Sequence, residues 1–236
     1  MSKKVKLTVD GREVQGQEGE TLLTLCRREK IDIPTLCYFE GLSTVGACRL
    51  CLVEIEGSSK LQPSCTALVS EGQVIRTNTE KLQRYRRMLV ELFFSERNHV
   101  CAVCVSNNHC ELQQLGYKVG MDHVRFPYLY QTFEMDASHK EFVKDDNRCI
   151  MCTRCVRVCS EVEGAHVWDV MGRGYQSRII SGFKEPWGIS DACTSCGKCV
   201  DVCPVGALWP KDAVLGSLEK KPETVTELIK QREAGS

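Results

Sequence analysis

The sequence has no apolar run long enough to cross a membrane. Its densest apolar patch, MLVELFF at 88–94, is far shorter than the roughly eighteen residues that a spanning helix needs. Lys3, Lys4 and Lys6 resemble the basic start of a signal peptide, but the segment that follows them lacks the apolar stretch of such a peptide. We therefore expect neither a membrane span nor export, and a cytoplasmic location.

Net charge and nucleotide-binding motifs are missing too. Thirty-one basic and thirty-one acidic residues cancel, so no overall field attracts nucleic acid or anionic lipid. The sequence contains neither G-x-G-x-x-G nor G-x-x-x-x-G-K-[ST], and it predicts neither a dinucleotide fold nor a phosphate-binding loop. The motifs of the chain therefore give no reason to expect that it binds a nucleotide.

Cysteine, by contrast, is abundant, with 16 among 236 residues. Thiols of a chain that is not exported stay reduced, and clustered cysteines in such a chain are more often metal ligands than disulfides. The spacing of the cysteines therefore indicates what they bind.

Two cysteine runs share the spacing C-x2-C-x2-C-x3-C and are separated by the strand-like segments AHVWDV and SRIIS. The second run ends in Cys-Pro at Pro204, whereas Ser160 takes the place of this proline in the first. In two-cluster bacterial ferredoxins, three cysteines of a run bind one [4Fe-4S] cluster and the fourth binds the other. The expected ligand sets are Cys149, Cys152, Cys155 and Cys203, and Cys159, Cys193, Cys196 and Cys199. Zinc is disfavoured here, because zinc sites combine separated C-x2-C pairs.

The N-terminal third predicts a small mixed α/β domain. KVKLTVDG and REVQG flank an Asp10-Gly11 turn and predict a hairpin, which a helix over 20–30 and strands in LCLVEIEG and QVIRTN follow. Small Gly46 and Ala47 in GACRLC let backbone N–H groups approach bridging sulfides. The cysteines, spaced C-x10-C-x2-C-x13-C, are Cys37, Cys48, Cys51 and Cys65. They predict a [2Fe-2S] cluster, with structural zinc as the alternative.

Three cysteines between these regions need a fourth ligand. Cys101, Cys104 and Cys110 are spaced C-x2-C-x5-C, with His99 and His109 nearby. We favour His99, because His109 is adjacent to Cys110 and both side chains would have difficulty reaching one centre. The set predicts a [4Fe-4S] cluster with a raised potential, since a neutral imidazole replaces a thiolate. From spacing alone, a structural zinc site is a strong alternative.

The remaining residues are given structural roles. Cys26 shares a helical face with Leu22 and Leu25, and we expect a buried, inert thiol. Arginines at 84, 86 and 87 predict a solvated helix face. Arg154 and Arg157, between cluster ligands, are expected either to form surface ion pairs or to raise cluster potentials. Packing or hydrogen bonding is expected of His123, His139, His166, Trp168, Trp187 and Trp209.

These motifs together resemble a known family. The cysteine set of the first region, the histidine and three cysteines followed by ELQ, and the paired runs ending CPVGAL occur in this order. Over about residues 3–210 they are similar to the N-terminal region of the large iron–sulfur subunit of complex I and to the accessory region of iron-only hydrogenases. A chain of this length most resembles the HoxU family, the diaphorase iron–sulfur subunits of NAD(P)-reducing nickel–iron hydrogenases.

The resemblance implies an α+β protein with three domains and a tail. Residues 1–79 are expected to form a β-grasp, plant-type [2Fe-2S] ferredoxin-like domain, and residues 80–138 a small helical domain whose [4Fe-4S] cluster has one histidine and three cysteine ligands. Residues 139–211 are expected to form a bacterial-ferredoxin-like domain with two [4Fe-4S] clusters. The tail at 212–236 is expected to be helical. One departure concerns His99, which a single residue separates from Cys101, whereas larger relatives have three.

The implied role is electron transfer within an oxidoreductase complex, without a catalytic substrate site in this chain. Single electrons would pass through one [2Fe-2S] and three [4Fe-4S] clusters, between a partner subunit that binds FMN and NAD(P) and the small and large subunits of a nickel–iron hydrogenase. Reversible hydrogen oxidation would thereby be coupled to NAD(P) reduction. The alternatives are the equivalent subunit of an NAD-dependent formate dehydrogenase or complex I-like dehydrogenase and, more remotely, a non-redox zinc scaffold.

Overall fold

The computed structural model describes residues 3–234 and has the mixed α and β content that the sequence predicts. The chain forms two compact units. One comprises the residues up to Tyr38 together with Thr44–Leu89, and the other comprises Phe39–Ser43 and the residues from Val90 onward. The predicted region 139–211 and most of the predicted region 80–138 thus share one compact unit. Within residues 3–234, no helix is both long enough and apolar enough to cross a membrane.

The first unit is built on a mixed sheet with the strand order β2-β1-β5-β3-β4. Its strands are Lys4–Val9 (β1), Arg12–Gln17 (β2), Leu52–Ile55 (β3), Gln62–Pro63 (β4) and Val74–Arg76 (β5). The predicted hairpin is present, since β1 pairs antiparallel with β2 around Asp10 and Gly11. Both turn residues have positive φ, 48° and 80°, which two-residue hairpin turns of this kind require. Strand β5 pairs in parallel with β1, which makes the sheet mixed.

Helix α1, Leu22–Arg28, lies within the range predicted for it. The Thr21 hydroxyl accepts a hydrogen bond from the Thr24 amide and caps the first turn. Leucines of α1 and Cys26 are buried in the core of this unit. Burial raises the pKa of Cys26 to about 12, so its thiol stays protonated and unreactive, as the sequence predicts.

The second unit consists of short elements that connect the cysteine runs. Its helices are the end of α2 (Glu80–Glu96), α3 (Glu111–Lys118), α4 (Arg154–Arg157, continued by a π-helical segment over Val158–Glu163), α5 (Lys198–Asp201) and α6 (Pro222–Ala234). Two antiparallel strand pairs accompany them, Phe142–Lys144 (β6) with Leu208–Pro210 (β9) and Trp168–Met171 (β7) with Arg178–Ser181 (β8). The second pair contains the two strand-like segments predicted between the cysteine runs.

The predicted helix of the tail is α6, and it packs within its own unit. Val225 and Ile229 are buried. The backbone of Gly41 passes so close to α6 that a Cβ at this position would lie 2.5 Å from Cγ2 of Ile229. The apolar face of this helix is therefore docked on its own chain.

Candidate metal centres

The four cysteines of the first set lie together in the first unit. All four are buried. Cys48 is hydrogen-bonded to Cys37, and this contact together with burial raises the pKa of Cys48. Cys51 is hydrogen-bonded to Cys65, which lowers the pKa of Cys51 to about 7. Four thiolates crowded in this space repel one another, so their joint ionisation needs a compensating cation such as the irons of a cluster.

Arg86 supports the loop that carries two of these cysteines. Only 3% of Arg86 is exposed, and its guanidinium donates to the carbonyls of Leu50 at 3.2 Å, Leu52 at 3.1 Å and Thr77 at 2.9 Å. The predicted solvated helix face is therefore wrong for Arg86, although Arg84 on the same helix is exposed. The carbonyls that bind Arg86 lie 9 to 36 residues away in sequence, and no local pattern reveals them.

The two cysteine runs of the second unit exchange their fourth members. One cavity is lined by Cys149, Cys152, Cys155 and Cys203, and another by Cys159, Cys193, Cys196 and Cys199. Three cysteines of each run thus meet the last cysteine of the other. This arrangement supports the two ligand sets that the ferredoxin-like spacing predicts.

The backbone of the two runs repeats as well. Met151 and Thr153 in the first run have φ values of 53° and 57°, and the equivalent Ser195 and Gly197 have 56° and 71°. Residues in this left-handed conformation turn neighbouring N–H groups into a concave site for negative charge. In the first run, the amide of Met151 donates to Sγ of Cys149 at 3.4 Å. The first run therefore stabilises negatively charged sulfur with a backbone N–H group, and the second run has a similar backbone conformation.

Burial keeps these thiols protonated unless a cation balances their charge. It raises the pKa of Cys152 to about 11 and also raises the pKa values of Cys149, Cys155 and Cys199. Neighbouring cysteines add to the effect, since each thiolate disfavours the next. A multi-iron cluster supplies the positive charge that such a set of thiolates needs.

The middle set is assembled partly by residues outside its own segment. Cys104 interacts electrostatically with both Cys101 and Cys110. Gly206, in the CPVGAL motif of the second run, lies against Cys104, and a Cβ on this glycine would be 2.6 Å from the Cys104 sulfur. Any side chain at position 206 would displace that sulfur. The spacing of the cysteines gives no indication of this requirement.

His99 has the properties of a metal ligand. Its Nε2 is buried and has no hydrogen-bond partner, an arrangement that costs roughly 1–3 kcal/mol unless the atom binds something. Burial and the nearby Arg148 and Arg97 lower the pKa of His99 to about 3, so the imidazole is neutral, the form that coordinates metals. His109 is exposed. The contrast between the two histidines supports the predicted choice of His99.

Arg154 and Arg157 are only 4% and 5% exposed, so the expected position at the surface is wrong, although Arg154 does form an ion pair. The guanidinium of Arg154 donates to both carboxylate oxygens of Glu111, at 2.7 and 2.9 Å. Although burial opposes its charge, the Glu111 carboxylate, Cys152 and Cys203 together raise the pKa of Arg154. Arg157 donates to the Cys152 carbonyl at 3.1 Å. Both cations are therefore buried on helix α4 beside Cys152.

Three family models match successive parts of the chain. A 2Fe-2S iron–sulfur cluster binding domain matches residues 2–80, the iron–sulfur binding region of NADH-ubiquinone oxidoreductase G matches residues 86–125, and the ferredoxin-like domain of NADH-quinone oxidoreductase subunit 3 matches residues 141–209. These matches confirm the predicted fold class and the presence of both [2Fe-2S] and [4Fe-4S] domains. They also disfavour the zinc scaffold.

Individual relatives agree with these models. The HoxS gamma chain of the NAD-reducing hydrogenase from Cupriavidus necator is 32% identical over 213 residues, covering 88% of this chain and 87% of the relative. The NADH-quinone oxidoreductase G 2 chain from Rhizobium meliloti and the NADP-reducing hydrogenase subunit HndD from Solidesulfovibrio fructosivorans are each 36% identical. This chain covers 24% and 35% of the lengths of these two relatives.

A solved structure has the same fold. A chain in the crystal structure of an NAD+-reducing [NiFe]-hydrogenase in the H2-reduced state superposes with a TM-score of 0.84 at 34% identity, over 89% of this chain and 88% of that one. Sequence and fold thus agree over nearly the whole length. The chain belongs to the family of iron–sulfur electron-transfer subunits found in NAD(P)-reducing hydrogenases and in complex I-like oxidoreductases.

Proposed function

We propose that this chain carries single electrons through one [2Fe-2S] and three [4Fe-4S] clusters in the cytoplasm. Its partners are a subunit that binds FMN and NAD(P) and the small and large subunits of a nickel–iron hydrogenase, so that hydrogen oxidation and NAD(P) reduction are reversibly coupled. The main support is the division of all cysteines except Cys26 into four ligand sets. The hydrogenase context is supported by the HoxS gamma chain, which matches this chain over 87% of its own length.

Four sets of side chains hold the clusters in this proposal. The [2Fe-2S] ligands are Cys37, Cys48, Cys51 and Cys65, and the three [4Fe-4S] sets are His99, Cys101, Cys104 and Cys110; Cys149, Cys152, Cys155 and Cys203; and Cys159, Cys193, Cys196 and Cys199. When bound, such clusters accept and release single electrons at potentials that ligand charge, hydrogen bonds to sulfur and burial determine. The chain contributes these three influences and leaves substrate chemistry to its partners.

A complex I-like dehydrogenase is the second candidate context. The NADH-quinone oxidoreductase G 2 chain is 36% identical to this chain, a higher identity than that of the HoxS gamma chain, although only 24% of its length is covered. An NAD-dependent formate dehydrogenase would use an equivalent subunit. The proposed electron-transfer role is the same in all three contexts, and the metal content of the complex distinguishes them.

The context is tested by elemental analysis of the complex, purified anaerobically from its native cytoplasm through a tag on this chain. We expect nickel together with excess iron, and hydrogen-dependent reduction of NAD or NADP by the same sample. Molybdenum or tungsten without nickel would instead indicate a formate dehydrogenase. A complex with neither group of metals that oxidises NADH would indicate the complex I-like context.

The number of clusters is tested on the chain itself after anaerobic separation from its partners. One [2Fe-2S] and three [4Fe-4S] clusters predict about fourteen irons and a similar amount of acid-labile sulfide per chain. About ten irons with one zinc would place zinc in the middle set. Zinc with little sulfide would contradict the electron-transfer role.

The assignment of His99 is tested with two substitutions. His99→Ala removes one ligand, so we expect loss of the middle cluster's EPR signal and about four fewer irons per chain. His99→Cys should keep the cluster and lower its potential, because a thiolate adds a negative charge. The matched control, His109→Ala, should change neither property. A His99→Ala variant with the iron content and middle-cluster spectrum of the wild type would show that another residue is the ligand.

A further inference from the structure

Two buried aromatic side chains lie against one cysteine of the second cavity. Nε1 of Trp187 donates a hydrogen bond to Sγ of Cys193 at 3.3 Å. Nε2 of His139 lies 3.7 Å from the same sulfur and 3.2 Å from Oγ of Ser195. Both residues were expected from the sequence only to pack or to hydrogen-bond, and neither lies in a cysteine run.

The backbone determines which nitrogen of His139 carries the proton. Nδ1 accepts hydrogen bonds from the amides of Glu141 at 3.0 Å and Phe142 at 3.2 Å. A nitrogen that accepts hydrogen bonds carries no proton, so in the neutral ring the proton is on Nε2. His139 is thus held as an Nε2–H donor that faces the Cys193 sulfur and the Ser195 hydroxyl. Trp187 thus donates directly to the Cys193 sulfur, and the single N–H of His139 is shared between this sulfur and the Ser195 hydroxyl.

Stacking keeps the two rings in place. His139 packs on Phe142 and Trp187 with ring-centroid distances of 5.1 and 4.5 Å, and Phe142 stacks on Trp187 at 5.6 Å. Trp168 meets Trp187 edge-on at 4.7 Å and hydrogen-bonds Cys199, another ligand of the same set. All of these rings except Phe142 are buried. A donor that is held rigidly loses little entropy when it makes its hydrogen bond.

The segments that carry Trp187 and His139 are fastened to each other. The Trp187 amide donates to the Asp136 carboxylate at 2.7 Å, and the Gly188 amide donates to the Ser138 hydroxyl at 2.8 Å. A Cβ on Gly188 would lie 2.2 Å from the Ser138 carbonyl oxygen, so only glycine permits this approach. These contacts hold the two donors in position without involving a cysteine.

The equivalent cysteine of the first run has different surroundings. Cys149 is contacted by the thioether of Met151 at 3.9 Å and by the Met151 amide at 3.4 Å. A thioether donates no hydrogen bond. Two cavities with the same cysteine spacing therefore give the first sulfur of each run unequal hydrogen bonding.

We propose that His139 and Trp187 are positioning residues that raise the reduction potential of the cluster bound by Cys159, Cys193, Cys196 and Cys199. This inference rests on the proposed function. An N–H donor stabilises a sulfur ligand more strongly when the cluster has gained an electron, because the sulfur is then more negative. The pair thereby makes this cluster easier to reduce than its thiolate ligands alone would.

The test uses redox titrations of the anaerobically purified complex, followed by EPR. Trp187→Phe keeps an aromatic ring and removes the N–H, and His139→Phe does the same for the imidazole. At a fixed ambient potential, each change should shift the oxidised-to-reduced ratio of this cluster about tenfold toward the oxidised form, which corresponds to roughly 59 mV for one electron. His139→Gln, whose amide retains an N–H, should recover part of the shift. Cys196→Ser assigns the signal, since it alters a ligand of the same cluster.

Trp209→Phe is the matched control, because it makes the same chemical change on β9 and should leave the midpoint unchanged. Iron content is measured on every variant, so that loss of the cluster is recognised as a structural effect. If Trp187→Phe loses iron, the inference is tested instead by comparing the midpoint potentials of His139→Phe and His139→Gln. A wild-type complex that lacks this cluster's signal would contradict the proposed function. If the signal is present and both phenylalanine variants have the wild-type midpoint, the inference is overturned but the proposed function is not.

Discussion

Replacing Arg154 with leucine is expected to lower the reduction potential of the cluster that we assign to Cys149, Cys152, Cys155 and Cys203. The guanidinium is buried and interacts electrostatically with Cys152 and Cys203. Each electron added to the cluster increases the negative charge that Arg154 stabilises. Loss of the cation therefore disfavours the reduced form more than the oxidised form.

The size of the effect follows from the charge and its partner. A unit charge at roughly 6 Å with an effective dielectric constant near 20 contributes about 3 kcal/mol, or on the order of 100 mV for one electron. Glu111 binds Arg154 through both carboxylate oxygens and offsets part of this field. We therefore expect a decrease of about 50–100 mV.

Glu111→Gln should shift the same potential in the opposite direction. It removes the negative charge that offsets Arg154 and leaves a side chain of nearly the same size that can still accept a hydrogen bond. Arg154→Lys should have a reduction potential close to that of the wild type, since it retains the charge, although lysine cannot reproduce the bidentate contact with Glu111. Opposite shifts for Arg154→Leu and Glu111→Gln indicate an electrostatic effect, because local structural damage would not reverse sign with charge.

These shifts are measured by EPR-monitored redox titration of the complex, with iron content as the check that the cluster is present. Arg173→Leu, at an exposed arginine of the same unit, serves as the control and should leave the midpoint unchanged. Equal midpoints for wild type, Arg154→Leu and Glu111→Gln would show that Arg154 has a structural role only. The description of Arg154 as a cation that tunes the potential would then be wrong.

The sequence predicts well which cysteines of the second unit lie together, because most members of each set come from one short run. In a C-x2-C-x2-C run the chain can place three sulfurs around one cavity, and only the fourth depends on the partner run. The hairpin at Asp10-Gly11 is equally local, since two residues determine the turn. Short-range spacing is therefore sufficient for these features: the structure brings the predicted cysteines to two common cavities and forms the hairpin at the predicted turn.

The surroundings of the ligands depend on distant residues and could not be read from spacing. Arg154 meets Glu111 across 43 residues, and His139 approaches Cys193 across 54. Position 206 must be glycine because the sulfur of Cys104, about a hundred residues earlier in the sequence, leaves no room for a side chain there. A run of basic residues or a lone histidine looks the same in a sequence whether it faces solvent or a thiolate. Only the tertiary contacts distinguish the two cases.

The largest effect on stability is expected from Arg86→Leu in the first unit. Arg86 donates to three carbonyls, those of Leu50, Leu52 and Thr77. Leu50 and Leu52 flank Cys51, so the guanidinium holds the loop from which this ligand projects. Leucine fills part of the space but leaves the carbonyls without a donor in a buried environment.

Each unpaired buried acceptor costs roughly 1–3 kcal/mol, so we expect a loss of about 3–5 kcal/mol in the free energy of unfolding of this unit. For a domain of this size that corresponds to a decrease of more than about 10 °C in Tm. The Tm of Arg86→Lys should lie between those of the wild type and Arg86→Leu, since an ammonium group cannot bind three carbonyls with the geometry of a guanidinium. Loss of the positive charge beside Cys51 should in addition lower the potential of the [2Fe-2S] cluster.

Thermal unfolding is followed anaerobically through the visible circular dichroism of the [2Fe-2S] cluster in the full chain. Arg84→Leu is the matched control, because Arg84 lies on the same helix with an exposed side chain, and its replacement should cost less than about 0.5 kcal/mol. If Arg86→Leu unfolds at the same temperature as Arg84→Leu, the three carbonyls must be satisfied without the guanidinium. If it unfolds earlier and releases iron as it does so, a single buried cation couples the stability of the sheet to retention of the cluster. The fold and the metal centre of this unit then depend on the same side chain.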